Sequence, residues 1–140
     1  MKRMNAVVTL TLVSLVLLLA PRPRAAELMK SGEWEIDTTM DGQTYTTSRC
    51  ATPAELKEMN GGPRAVRAYT EKSVNEGHCI TKDYKLAADT LSYTIVCPGG
   101  KIASTTTYRG NSFEARAITN GSGEKRTAFH VKGRRIGTCP

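Results

Sequence analysis

Two histidines, four cysteines and a basic C-terminal stretch are the groups in this 140-residue chain whose chemistry could amount to a function. A hydrolase needs a nucleophile, a base and an oxyanion site in one place, and His78 and His130 are the only imidazoles available as the base. Neither stands in a nucleophile motif such as Gly-x-Ser-x-Gly. His78 adjoins Cys79, a residue expected to be oxidised, and His130 lies mid-strand beside Phe129, so both read as structural. Glu33, Glu35 and Asp37 sit at alternate positions, the arrangement of a solvated strand face rather than of an acid–base pair. Gly61-Gly62 and Gly99-Gly100 lack the Lys-Ser/Thr that completes a phosphate-cradling loop. These residues predict no catalytic set and no cofactor.

The cysteines, Cys50, Cys79, Cys97 and Cys139, offer metal or disulfide chemistry. Structural zinc sites usually place two ligands two to four residues apart, and no two of these lie that close. An even number in an exported chain reads as two disulfides, with three pairings open.

Export is what the first residues predict. Residues 1–26 carry Lys2 and Arg3 near the start, and residues 6–20 are an uncharged run of Val, Leu, Ala, Thr and one Ser. This is the pattern of a secretory signal peptide, and it is shorter than the ~20 apolar residues of a membrane span. Ala25 and Ala26 are the small residues nearest a cleavage point. Residues 27–140 are then a single disulfide-stapled β domain, periplasmic or secreted, with no transmembrane span.

The leader also distorts the composition. The whole chain has a formal charge of +7 and 39% hydrophobic residues. Without residues 1–26, 16 basic against 13 acidic residues leave +3, and 39 of 114 residues, about 34%, are hydrophobic. Such a charge does not call for nucleic acid as a partner. A domain this small and polar buries a modest core, to which each disulfide adds about 2 to 4 kcal/mol. The length excludes multidomain enzymes, solenoids and polytopic membrane proteins.

The elements that position these groups follow from periodicity. Trp34, Ile36, Thr38 and Met40 alternate with Glu33, Glu35, Asp37 and Thr39, a half-buried strand. Asp41-Gly42 supplies a type I′ turn, pairing Met40 with Gln43 and Trp34 with Arg49. The second strand, residues 43–50, is rich in Thr and Tyr. Thr52-Pro53-Ala54-Glu55 forms a capping box with proline at the first helical position, predicting a short helix to about Asn60 that Gly61-Gly62-Pro63 ends. Residues 64–77, with Arg64, Arg67 and Lys72 and few apolar anchors, read as a mobile loop or a second short helix.

Strands at residues 79–86 and 91–97 would pair Leu86 with Leu91, Tyr84 with Tyr93 and Ile80 with Cys97. That register leaves Cys79 one position from Cys97, on the opposite face. A bulge or a three-residue loop makes the two cysteines direct partners, and Cys50–Cys139 then follows by elimination. Pro98-Gly99-Gly100 turns into a strand over 101–109, and Gly110-Asn111 into one over 112–119, with Tyr108 opposite Phe113. Asn120-Gly121-Ser122 reads as a hairpin turn rather than a glycosylation acceptor. It leads to a last strand from about Glu124 to Arg135, with Phe129 opposite Phe113. The fold expected is mainly β, a seven-strand antiparallel meander with one short helix after strand two. It curls over its apolar face into a barrel or half-barrel, with the helix covering an opening.

On that scaffold the last strand gathers Lys125, Arg126, Lys132, Arg134 and Arg135. Arg134 and Arg135 fall on opposite faces, so that one points inward to pair with an acid and the other meets solvent or anionic lipid head groups. Trp34 opposite Arg49 has the reach of a cation–π pair. Arg134, Arg135 and Trp34 are the candidate interaction residues.

Four stretches taken in order carry a resemblance: Gly32-Glu33-Trp34-Glu35-Ile36, Cys50-Ala51-Thr52-Pro53-Ala54-Glu55-Leu56, Val96-Cys97-Pro98-Gly99-Gly100, and Gly133-Arg134-Arg135-Ile136-Gly137-Thr138-Cys139. Together they resemble the bacterial family called domain of unknown function 3617, small exported proteins usually found with a signal sequence. The resemblance implies an exported four-cysteine domain and brings no catalytic residue. The expectation is a non-enzymatic binding or interaction module of the cell envelope, its partner a small apolar ligand or an envelope protein. The alternative is an envelope enzyme, or an enzyme inhibitor that presents residues 64–77 as a rigid loop. A purely structural envelope component is the third class.

Overall fold

The computed structural model describes residues 27–121 and 126–140. The expected leader, residues 1–26, and the positions Ser122, Glu124 and Lys125 of the expected last turn and strand lie outside the described residues. Seven strands are present: β1 (Gly32–Met40), β2 (Gln43–Ala51), β3 (Ile80–Ala87), β4 (Thr90–Cys97), β5 (Gly100–Tyr108), β6 (Ser112–Gly121) and β7 (Thr127–Gly137). Two helices, α1 (Pro53–Leu56) and α2 (Pro63–Glu76), lie between β2 and β3. All strand pairs are antiparallel in one sheet of order β2-β1-β7-β6-β5-β4-β3. β7 therefore returns beside β1, β2 and β3 are the edges, and the helices carry the chain from one edge to the other. The sheet is open, a half-barrel rather than a closed one.

The first hairpin forms as its pattern dictates. Asp41 (φ 50°) and Gly42 (φ 80°) take the left-handed positions of the turn, and Met40 meets Gln43 while Trp34 meets Arg49. At α1, the Thr52 Oγ1 accepts from the Glu55 N–H at 3.3 Å and the Glu55 carboxylate accepts from the Thr52 N–H at 2.7 Å. This satisfies two otherwise orphaned donors. The helix ends at Leu56, shorter than expected, and a turn brings Met59 and Asn60 round against the N-terminal segment.

Of the two readings of residues 64–77, loop or second helix, the helix is the one formed, up to residue 76 with Gly77 as its cap. This is α2, 14 residues and about 21 Å long, which buries Val66, Thr70 and Val74 at four-residue spacing. The stripe is one residue wide and has a threonine at its centre, which is why the apolar pattern is faint. The Thr70 hydroxyl is satisfied inside the helix by the Val66 carbonyl at 2.8 Å, and Arg67 and Glu71 pair one turn apart at 2.8 Å. The helix stops at Gly77 and His78, the latter at φ 57°.

Two strand registers depart from expectation. Between β3 and β4, Leu86 meets Leu91, but Ile80 meets Val96 instead of Cys97. The difference is absorbed by a bulge between Lys82 and Lys85, with Asp83 at φ 52°, so the expected Tyr84–Tyr93 pair is not formed as a simple cross-strand pair. That one-residue slip brings the Cys79 and Cys97 Cα atoms to 4.4 Å, joined as a disulfide. Between β6 and β7, in the middle of the sheet, Phe113 faces Gly133, and Phe129 faces Ala117. A phenyl ring lying flat on the sheet needs the space that a glycine leaves, and the Phe113 ring occupies the place a Gly133 side chain would take.

The second disulfide, Cys50–Cys139, ties β2 to the residues after β7, and both flank β1. Each edge strand, with a single neighbour, thus ends in a covalent staple. The core is divided in two. Trp34 (1% exposed), Ala51 and Leu56 pack with Met29, Ile36 and Phe113 on the β1 side. Leu28, Met59, Val66 and Leu91 pack with Tyr84, Leu86, Tyr93 and Tyr108 under α2. Among the described residues no helix is long and apolar enough to cross a membrane.

Candidate functional site

The two halves of the core meet along residues 27–31, an extended segment threaded between the α1–α2 turn and the β5–β6 hairpin. Asn60 acts toward it as a strand would: its Oδ1 accepts from the Met29 N–H at 3.2 Å and its Nδ2 donates to the Met29 carbonyl at 2.7 Å. On the other side the Lys30 N–H donates to the Gly110 carbonyl (2.9 Å), and the Gly110 N–H to the Leu28 carbonyl (3.1 Å). Held in this way, the segment separates two cavities and sends neighbouring side chains into different ones.

The first cavity, about 590 Å³, opens under the start of α2. Leu28, Met59, Val66, Leu86 and Tyr108 line it, with Asp89 and Arg109 among its charged residues. Burial pushes the Tyr108 phenol up to about 12, because a phenolate would be stripped of water there. Tyr93 and Tyr84 on the same face are raised for the same reason. Arg67 of α2 lies 5.3 Å above the Tyr84 ring, and the buried Tyr84 hydroxyl has no hydrogen-bond partner among the described residues.

The second cavity, about 980 Å³, lies on the Met29 side and is basic. Lys30, Lys57 and Arg135 border it against one acid, Glu27, and Met29 and Leu56 supply an apolar base. Glu27 and Asn60 border both cavities.

The three candidate interaction residues meet here only in part. Trp34 is buried, and its indole Nε1 donates to the Lys30 carbonyl at 3.0 Å. It faces Arg49 across β2 as expected, but Arg49 pairs with Glu55 at 3.6 Å, and the cation–π contact found is Arg67 over Tyr84. Arg135 lies opposite Trp34 on the other flank of β1. The two arginines divide otherwise than anticipated. The outward Arg134 pairs with an acid, its Nε donating to the Glu35 carboxylate at 2.9 Å and its Nη2 to the same oxygen. The inward Arg135 donates from Nε to the Ser31 carbonyl at 2.7 Å and has no acid within salt-bridge range among the described residues.

His130 sits on the outer face of β7, its Nε2 2.6 Å from a Glu114 oxygen that Arg116 also reaches at 3.2 Å. Those contacts hold the Glu114 carboxyl below its usual range. His78 is exposed at the start of the β3 edge, four strands away in the sheet order. Neither histidine borders the cavities described. Among the described residues no group of three or more His, Cys, Asp or Glu is placed to hold a metal ion.

Leu28, Asn60 and Tyr108 are not legible in the sequence as site residues, because a cavity wall assembled from three distant turns has no local signature. The Asn60-Gly61-Gly62 run after a capped helix marked the turn but not its grip on Met29. The profile of the family described as Protein of unknown function (DUF3617) matches residues 29–139. The chain belongs to the DUF3617 family. No curated protein and no solved structure matches it. The span shared with DUF3617 proteins begins at Met29 and ends at Cys139, so it contains both disulfides, every strand and Arg135.

Proposed function

We propose that this DUF3617 protein is a non-enzymatic binding module of the cell envelope, periplasmic or secreted, that holds a small, mainly apolar ligand in the cavity under α2. The cavity itself carries the reading. Its volume of about 590 Å³ lies within the 300–1,000 Å³ typical of ligand sites, and apolar walls with few polar groups are their usual chemistry. Two disulfides suit an oxidising compartment, as does the leader pattern in residues 1–26. Histidines at different places in the fold and outside both cavities described speak for binding over catalysis. With residues 64–77 wound into α2, they are not the rigid loop an inhibitor would present.

The test is binding of a neutral fluorescent apolar probe to the purified domain, together with native mass spectrometry of protein from its own host. Wild type should bind the probe and carry a small ligand, and Leu86→Trp, which fills the cavity, should lose both with its circular dichroism intact. Binding that survives Leu86→Trp, or none in the wild type, would overturn the reading.

One observation favours a protein partner as well. Natural edge strands are guarded by lysines, bulges or a covering element. β3 has all three: Lys82 and Lys85, the bulge at Asp83, and α2 packed beside it. β2 has nine residues in regular register with β1, and its Gln43 to Arg49 side chains are exposed, Tyr45 at 55%. An envelope protein that adds an extended segment to this edge is the second reading. Thr47→Pro, placed to break such pairing, should abolish capture of that partner while leaving probe binding unchanged.

A further inference from the structure

We infer that the ligand is an amphiphile with an anionic head, a carboxylate or phosphate ester, whose head is received by Arg135 in the basic cavity while its apolar part occupies the cavity under α2. The inference rests on the binding-module reading and adds the chemistry of the ligand to it.

Its starting point is the unequal treatment of two neighbouring arginines. Arg134 is exposed and has the Glu35 carboxylate as its partner. Arg135 is the less exposed of the two and has no acid as its partner among the described residues. This is the reverse of what stability alone asks for, since a cation drawn out of water needs a counter-charge more than an exposed one does. The Arg135 Nε is used to hold Ser31, and Gly32, at φ 144°, leaves room for the guanidinium against the backbone. That contact orients the group and leaves its terminal nitrogens without an acid. An oriented guanidinium presents paired N–H donors suited to two oxygens of one carboxylate or phosphate. Lys30 and Lys57 add two positive charges to the same cavity against the single negative charge of Glu27.

The second observation is adjacency. Leu28 lines the apolar cavity, while Met29 and Lys30 line the basic one, so the two environments adjoin along one short run of backbone bridged to Gly110 at Met29. Glu27 and Asn60 belong to both rims. A molecule bent over that rim places an apolar part against Leu28, Val66 and Leu86 and an anion beside Arg135. A purely apolar compound uses only the first cavity, and a free inorganic anion only the second.

Calorimetry on the purified domain with dodecanoate, dodecanol and inorganic phosphate, each below its aggregation concentration, separates these cases. Wild type should bind dodecanoate at least about tenfold more tightly than dodecanol, as expected for one charge-assisted hydrogen-bond pair. The preference should shrink as salt is raised. Arg135→Gln should cut the preference for dodecanoate over dodecanol several-fold, and Arg135→Lys should recover part of the loss. Because Arg135 also braces Ser31, the Lys30→Gln and Lys57→Gln pair, which leaves that brace intact, should lower the preference a few-fold. Equal affinity of the wild type for dodecanoate and dodecanol would overturn the head-group assignment and leave the binding module standing. Phosphate alone binding as tightly as dodecanoate would overturn the amphiphile in favour of a free-anion site. Binding of neither chain would overturn both.

Discussion

Gly133→Ala is the substitution whose outcome most directly probes how this sheet is packed. Gly133 is buried in β7 between Ile36 of β1 and Phe113 of β6. Its backbone is not in the left-handed region, so alanine meets no conformational objection there. The objection is spatial: the three nearest atoms to an added methyl all belong to the Phe113 ring. That ring cannot simply swing away, because Trp34 and Tyr108 both pack near it, with centroids 5.8 Å and 6.3 Å from its own. Overpacking costs about 1 to 3 kcal/mol, and disturbing either aromatic contact adds about 0.5 to 1.5 kcal/mol, so a loss of about 2 to 4 kcal/mol is expected. Urea unfolding without reductant reads it as a fall in midpoint at constant slope. The decisive arm repeats the change in a Phe113→Ala background. With the ring gone the methyl has space, and alanine in place of glycine within a strand should be neutral or stabilising by up to about 1 kcal/mol. The substitution is expected to reverse sign between the two backgrounds. A loss under about 0.5 kcal/mol in the wild type, or the same loss in both backgrounds, would refute the packing argument.

Three further outcomes follow from the same structure. The Cys50–Cys139 bridge closes a sequence separation of 89 and Cys79–Cys97 one of 18, so replacing each pair by alanine should cost about 4 to 5 and about 3 kcal/mol respectively on loop entropy; calorimetric unfolding of the two double variants tests the order. Tyr108 is held at about 12 in the folded protein against about 10 unfolded, so the folded state retains a proton that the unfolded state releases. The contribution of Tyr108 should therefore be constant below pH 10 and fall by about 2 to 3 kcal/mol between 10 and 12; Tyr108→Phe should make the alkaline decline shallower by that amount and remove the latest step of the phenolate absorbance titration, while the share of Tyr84 and Tyr93 remains. Thr52→Ala takes away the hydroxyl that caps α1 and should lower the unfolding free energy by about 1 kcal/mol, measurable by urea titration.

What could be read directly was whatever depends on near neighbours. The β1–β2 hairpin needs only an alternating run and Asp41-Gly42, and its register came out residue for residue. The Thr52–Glu55 box declares itself in four letters. The Cys79–Cys97 pair was legible as a conflict, because two cysteines one position out of phase ask for a bulge, and the bulge exists. α2 was harder, since its buried stripe is only Val66, Thr70 and Val74, too narrow to stand out from a polar loop, although Pro63 at its start and the Arg67–Glu71 pair mark a helix. A three-residue loop after β6 would set Phe129 opposite Phe113, but Phe113 faces Gly133 and Phe129 faces Ala117, a register that gives the Phe113 ring the space a glycine leaves.

The candidate site was the least legible part. Arg135 and Trp34 were picked out, yet which of Arg134 and Arg135 would find an acid turned on the position of Glu35, 99 residues away in β1. Asn60 reaches Met29 across 31 residues, and the apolar cavity is walled by the N-terminal segment, the α1–α2 turn and two hairpins at once.

The amino-acid sequence by itself determined the strands, the capped helix, the four cysteines and the membership of DUF3617, because hydrophobic period, turn chemistry and capping act over a few residues and leave a mark in those residues. The tertiary structure alone decided that β7 lies beside β1, that the sheet stays open, and that Arg135, with no acid in salt-bridge range among the described residues, faces a cavity adjoining an apolar one. These outcomes depend on which distant surfaces come to share the same space, and on which charges then find partners, and neither is a property of any local stretch of chain.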